Sequence, residues 1–153
     1  MIPTAAKRQP KGEKGNMKLP DWVNKTGFNF RRNMDDHLGF IYQIDMKDGD
    51  FYIGRKQFWR KAGSDWKLND WESYASSSNN VKKDLSNIKS RTILAVFSSK
   101  SCLRYAELLA IILSESYWPD PKGINWSVDG CKGTLKMVGT DEEQMQLLRK
   151  RWR

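Results

Sequence analysis

The sequence predicts an α+β domain in which a small antiparallel three-stranded sheet is flanked by helices, in the order β-β-α-β-α, with a further helix at the C-terminus. Three observations predict it. FIYQID (40–45) and DFYIG (50–54) are β-branched and aromatic runs around the polar turn MKDGD, the pattern of an antiparallel hairpin. RTILAVF (91–97) supplies a third strand. SSKSCLRYAELLAIILSESYW is a long apolar-rich helical run that opens on serines and stops at WPDPKG.

Taken in order, residues 1–18 are rich in Lys, Pro and Gly with almost no large apolar group, so burial cannot offset the entropy of ordering them. They read as a disordered basic arm, either holding phosphate loosely or merely solvated. Residues 19–38 carry aromatics without a period and read as a lead-in that packs on the domain, with Arg31 and Arg32 extending a basic face. In the hairpin, side-chain alternation puts Phe40, Tyr42 and Ile44 on one face, and Tyr52 opposite to Phe51 and Ile53; register decides whether the two tyrosines meet. Residues 55–72 mix cations with Trp and read as a loop-rich insertion. The serine cluster after Tyr74 suits the cap of a helix from about Asn79 to Ile88. Ser101 is the expected cap of the long helix, which runs to about Trp118. In the tail, Thr140 and Glu143 have the spacing of a capping box, and QLLRKRWR puts cations where the helix dipole favours them.

The 153 residues suffice for one domain with a hydrophobic core. A formal charge of +9 favours an anionic partner, and seven tryptophans and five tyrosines beside the cations put nucleic acid ahead of a membrane surface. Cys102 and Cys131 with the single histidine His37 are too few for a four-ligand zinc site, and reduced thiols in a cytoplasmic compartment fit best. The N-terminus lacks the apolar stretch of a secretory signal, and LLAIIL (108–113) is too short to span a bilayer, so a soluble intracellular protein without membrane attachment is expected.

Two strands ending in FIY and YIG, followed by a basic segment, resemble the signature of the GIY-YIG nuclease family. Tyr42 closes the first element, which reads GFIY; Tyr52, Ile53 and Gly54 form the second. RKQF (55–58), WESYASSSNNVKKDL (71–85), a strand and a glutamate-bearing helix are similar to a branch frequent in phage genomes and near one restriction-enzyme lineage. That branch has an insertion after YIG and a W-x-x-Y-x-G-S-S-like segment, in which Ser76 here replaces the Gly. The resemblance spans about residues 39–126, leaving 127–153 as a C-terminal extension with its helix.

The resemblance implies a divalent-metal-dependent phosphodiesterase acting on DNA, in the host cytoplasm if phage-encoded. It maps the family's metal-holding glutamate onto Glu107. Hydrolysis needs a water, a group that takes its proton, and positive charge on the phosphate and the leaving oxygen. Tyr42 is the candidate general base, provided a metal ion or cations such as Arg55, Lys56, Arg60 and Lys61 favour its phenolate over a pKa of about 10. Tyr52 would orient the water or Tyr42. A lone Glu107 is adequate for Mg2+ or Mn2+, because magnesium takes one or two carboxylates plus waters and substrate phosphate oxygens. Glu107 also has a plainer reading as a solvated residue paired with Arg104.

The family's first-helix cation falls here on Ala62, so Lys82 or Lys83 is the candidate substitute. Tyr74 and Ser76, Ser77 and Ser78 are candidates for phosphate contact, or simply a helix cap. Asn125 occupies the place of the family's late asparagine, or is a turn residue. A short-range sequence preference and salt-sensitive affinity are expected. The competing functions are a nucleic-acid-binding protein with a decayed nuclease site and a basic inhibitory protein.

Overall fold

A computed structural model describes residues 18–29, 36–76, 78–115 and 137–152. The hairpin is present: β2 (Gly39–Met46) and β3 (Phe51–Gln57) are antiparallel. Its turn is closed by the Met46 amide donating to the Asp50 carbonyl at 2.8 Å. Gly49 adopts φ 98°, a left-handed conformation that glycine tolerates without cost from a Cβ. β6 (Ile88–Phe97) pairs antiparallel with the other side of β2 and begins three residues before the expected strand.

The sheet is four-stranded and mixed, not three-stranded and antiparallel. β1 (Trp22–Asn24), inside the aromatic lead-in, pairs parallel to β6, giving the order β1-β6-β2-β3. Three residues offer no alternation to read in the sequence. The strand is held by its tryptophan, whose ring lies edge-on to Phe40 and Tyr42 at 5.4 and 5.9 Å and whose Nε1 donates to the Trp71 carbonyl at 3.1 Å.

The insertion is also more ordered than its composition implies. β4 (Trp59–Ala62) and β5 (Asp65–Leu68) form a second, two-stranded antiparallel hairpin. Phe58 anchors its base, fully buried, donating its amide to the Leu38 carbonyl and accepting from the Asn69 amide. Conversely, the helix expected over 79–88 is only a single turn, α1 (Asn79–Lys82), followed by a 3-10 turn at Leu85–Asn87. Asp84 accepts from the Ser86 amide at 3.1 Å, a local bond that competes with helix continuation.

α2 (Lys100–Ser114) is capped by Ser99, which accepts from the Cys102 amide, rather than by Ser101. Its last described residue, Glu115, is left-handed at φ 55°; the expected extension to Trp118 lies outside the described residues. α3 (Asp141–Arg151) starts as expected and ends on Arg149, Lys150 and Arg151. The capping box does not form, since Thr140 makes no side-chain cap bond. Instead the buried Asp141 carboxylate accepts from the Ser98 amide at 3.0 Å, the Ser98 hydroxyl at 2.6 Å and the Val138 amide at 3.1 Å. Gln144 accepts from the Val96 amide at 2.9 Å, and Met145 and Leu148 are buried. This helix belongs to the core rather than to an appendage.

The sheet thus separates two apolar layers. Phe40, Tyr42, Ile44, Phe58 and Trp71 pack on one face, and Ile41, Ile53, Phe97, Leu103, Ala106 and Met145 on the other, under α2 and α3. Strand β3 forms an edge of the sheet, and that placement governs the site.

Candidate active site

Register answers whether the tyrosines meet. Tyr42 stands opposite Gly54 and Ile44 opposite Tyr52, so both phenols share the face away from α2, with ring centroids 6.1 Å apart. Tyr74 closes the group from the segment after Trp71, its ring 5.8 Å from that of Tyr42. Tyr42 is fully buried and donates to the Ser76 hydroxyl at 3.5 Å; Ser76 in turn accepts the Ser78 amide at 2.9 Å. Gly54 is indispensable to this arrangement for space, not for conformation. A Cβ there would lie 2.5 Å from Tyr42 Cζ, 2.9 Å from Tyr52 Cε1, and closer still to the Tyr42 hydroxyl.

Burial raises the Tyr42 phenol above its ordinary value; the Ser76 hydrogen bond opposes this, and the neighbouring Tyr52 and Tyr74 add to it. The surrounding protein alone therefore favours the protonated phenol, so the phenolate would need the support of a metal ion or of cations brought close to it. Lys56, a cation of this face, is engaged by other partners: its Nζ lies 3.0 Å from Asp70 Oδ1 and 4.0 Å above the centre of the Tyr74 ring. The hydrogen bond from Lys56 holds the Asp70 carboxyl below its usual range, against a smaller opposing effect of burial.

Glu107 and Arg55 form the second half, on the opposite face. Alternation along β3 turns Arg55 toward α2, where its guanidinium donates to Glu107 Oε1 at 3.1 Å. The partner of Glu107 is thus a residue fifty-two positions away, not the helix neighbour Arg104. Burial raises the Glu107 carboxyl, and the Arg55 charge pulls it back in part. A desolvated carboxylate balanced by one partly exposed guanidinium suits a single divalent cation that brings its own waters. Among the described residues no group of three or more His, Cys, Asp or Glu side chains is placed to hold a metal.

The remaining predicted residues divide as follows. Arg60 and Lys61 occupy β4 on opposite faces of the second hairpin, and both are exposed. Lys82 and Lys83 are exposed at the end of α1, and Ser78 precedes it, half-buried. Ser77 and Asn125 lie outside the described residues.

Two positioning residues escaped the sequence reading. Asp70 holds Lys56, but as one polar residue in LNDWE it carries no signal. Arg91 is buried within a strand, donating to the carbonyls of Pro20 at 2.6 Å, Glu72 at 3.1 Å and Tyr74 at 2.8 Å, and stacking on Trp22. It ties the lead-in and the Tyr74 segment to the sheet; a cation inside a β-branched run was the available hint.

The family described as putative endonuclease segE, GIY-YIG domain, matches residues 6–117. The chain belongs to the GIY-YIG family. It is similar to the intron-associated endonuclease 2 of Enterobacteria phage T4, being 35% identical over 112 residues, which cover 72% of this chain and 40% of that protein. The GIY-YIG chain thus spans about two fifths of that relative's length. No solved structure matches it.

Proposed function

We propose that the chain is a DNA endonuclease that hydrolyses phosphodiester bonds across the edge strand β3, encoded by a phage and of a mobile or genome-degrading kind. The observation that carries this reading is Gly54, whose missing side chain leaves room for Tyr42 and Tyr52 to stand together on the face that also carries Lys56. Membership of the GIY-YIG family supports it, as does the likeness to a phage endonuclease.

In this reading Tyr42, in its phenolate form, takes the proton of the attacking water and Tyr52 orients that water. Lys56, held by Asp70 and Tyr74, faces the phosphate from the phenol side, and Arg55 from the other. Glu107 holds the divalent ion, Mg2+ or Mn2+, which when bound supplies Lewis-acid charge to the phosphate and the departing oxygen. Arg60, Lys61, Lys82, Lys83, Tyr74, Ser77 and Ser78 bind the DNA backbone, with Asn125 supporting the site, whereas Ser76, buried and bonded to the Tyr42 hydroxyl, holds the phenol instead.

The burial of Tyr42 and the closed Arg55–Glu107 pair favour a second reading, binding without cleavage. One experiment separates the two: supercoiled plasmid incubated with the protein and Mg2+ or Mn2+, beside Glu107→Ala and Tyr42→Phe. We expect nicked or linear product from the wild type and a loss of at least about 100-fold in each variant, the lower range for a general base. Binding without product across both metals overturns the enzyme reading. Cleavage indifferent to both substitutions overturns the residue roles.

A further inference from the structure

The β4–β5 hairpin has two unlike faces. Pairing of Trp59 with Leu68 and of Lys61 with Trp66 puts these four on one side, and Arg60 with Lys67 on the other. A four-residue two-stranded hairpin is marginal in water, and this one leaves Leu68 53% exposed at its anchored base and Trp66 56% exposed one pair short of its tip. With Trp59 on the same side, these residues make a contiguous apolar patch, the kind of surface that marks an interaction site.

Trp66 borders an open groove of about 510 Å³ that leads directly to the proposed centre. The groove is lined by Arg55, Lys56, Arg60, Lys61 and Lys100, and no carboxylate is among the described residues that line it. Arg55 and Lys56 are already ion-paired, so Arg60, Lys61 and Lys100 give the groove its positive charge. An exposed flat ring beside a row of cations matches a nucleic-acid strand, whose phosphates the cations take and whose bases offer π-faces.

Resting on the endonuclease reading, we propose that this hairpin selects distorted DNA: Trp66 stacks on a base that its own neighbour does not cover, at a bulge, gap or opened step, while Arg60, Lys61 and Lys100 hold the flanking phosphates. A base inside an intact duplex has no free face for the indole. The hairpin therefore favours sites where stacking is already broken and draws the adjacent phosphate toward Lys56.

The test measures binding by fluorescence anisotropy with the full chain in EDTA, so that cleavage plays no part. The probes are a short paired duplex and the same duplex with one unpaired 2-aminopurine. The wild type should bind the bulged duplex more tightly and quench the 2-aminopurine. Trp66→Ala should lose roughly 5- to 100-fold on the bulged duplex, the effect of removing one stacking aromatic. On the paired duplex it should lose less than about twofold, and it should abolish the quench, with Trp66→Phe keeping most of both. Lys61→Ala with Lys100→Ala should weaken both duplexes alike and flatten the salt dependence. Equal loss on the two duplexes, or no loss on either, overturns the stacking role while leaving the endonuclease reading intact. Failure of the wild type to bind either DNA overturns both.

Discussion

Replacing Gly54 by alanine isolates the spatial argument on which the site depends. Gly54 is not among the glycines with positive φ, so alanine meets no backbone penalty there. The added methyl instead lands 2.5 Å from Tyr42 Cζ and 2.9 Å from Tyr52 Cε1, distances that require movement. Tyr42 has little room to yield: it is fully buried, with Trp22, Phe40, Tyr52 and Tyr74 packed around its ring. Overpacking of this kind costs about 1–3 kcal/mol. Urea unfolding should therefore show a lower midpoint at an unchanged slope, and plasmid cleavage should fall further than the stability loss explains, because the phenols move together. Tyr42→Leu removes both Cζ and the hydroxyl and should relieve part of the strain. The double-mutant cycle should then return a coupling of at least about 0.5 kcal/mol. A Gly54→Ala protein with wild-type midpoint and wild-type cleavage would refute the reasoning outright.

Two further outcomes follow from the protonation of the site. Because burial raises the Tyr42 phenol, its basic form grows throughout the neutral and mildly alkaline range; kcat/KM should climb with a logarithmic slope of about one and reach no plateau below about pH 10, and Tyr42→Phe should lose that slope. A pH profile left unchanged by Tyr42→Phe would exclude Tyr42 as the base. For Glu107 the folded protein raises the carboxyl, so its contribution to stability is fully present below the unfolded value and is lost as pH rises through the folded one. At pH 7 the charged carboxylate is a net cost, and Glu107→Gln should raise stability by about 0.5–2 kcal/mol while removing cleavage, with no such gain at pH 4. Thermal melts at both pH values decide this; destabilisation at pH 7 would make the Arg55 pair a structural brace.

The sequence disclosed those parts of the fold in which local chemistry repeats. Alternation and an acidic glycine turn are enough to define the β2–β3 hairpin, and a long apolar stripe after a run of serines is enough for α2. Features made by distant partners left little trace. Asp141 has the look of a first-turn acid in TDEE, yet its carboxylate faces Ser98, forty-three positions away. Trp22 belongs to a strand too short to show a period, held by ring contacts and a bond to the Trp71 carbonyl. At the site, the phenol pair depended on register, which alternation alone does not set. Asp70 and Arg91 act through one lysine and three backbone carbonyls, and their spacing encodes none of those contacts.

The division of the site by the sheet is the least expected feature, and it bears on why β3 is an edge. Consecutive residues of a strand face opposite sides, so Gly54 and Lys56 serve the phenols while Arg55 between them serves Glu107. In an interior strand the two halves would be walled apart. At an edge both rows reach the same open rim, and a phosphate drawn to that rim meets Lys56 from one side and Arg55 from the other. Cations on edge strands also have a plainer use, in discouraging edge-to-edge aggregation. The two uses differ in what the cations touch. A guard residue is solvated, whereas the Lys56 side chain is 15% exposed and fixed between Asp70 and Tyr74, and Arg55 compensates a carboxylate whose ionisation burial opposes. Lys56 is held at some cost in position and desolvation and Arg55 at a cost in position, an expense that protecting an edge does not require and that placing charge around a phosphate does.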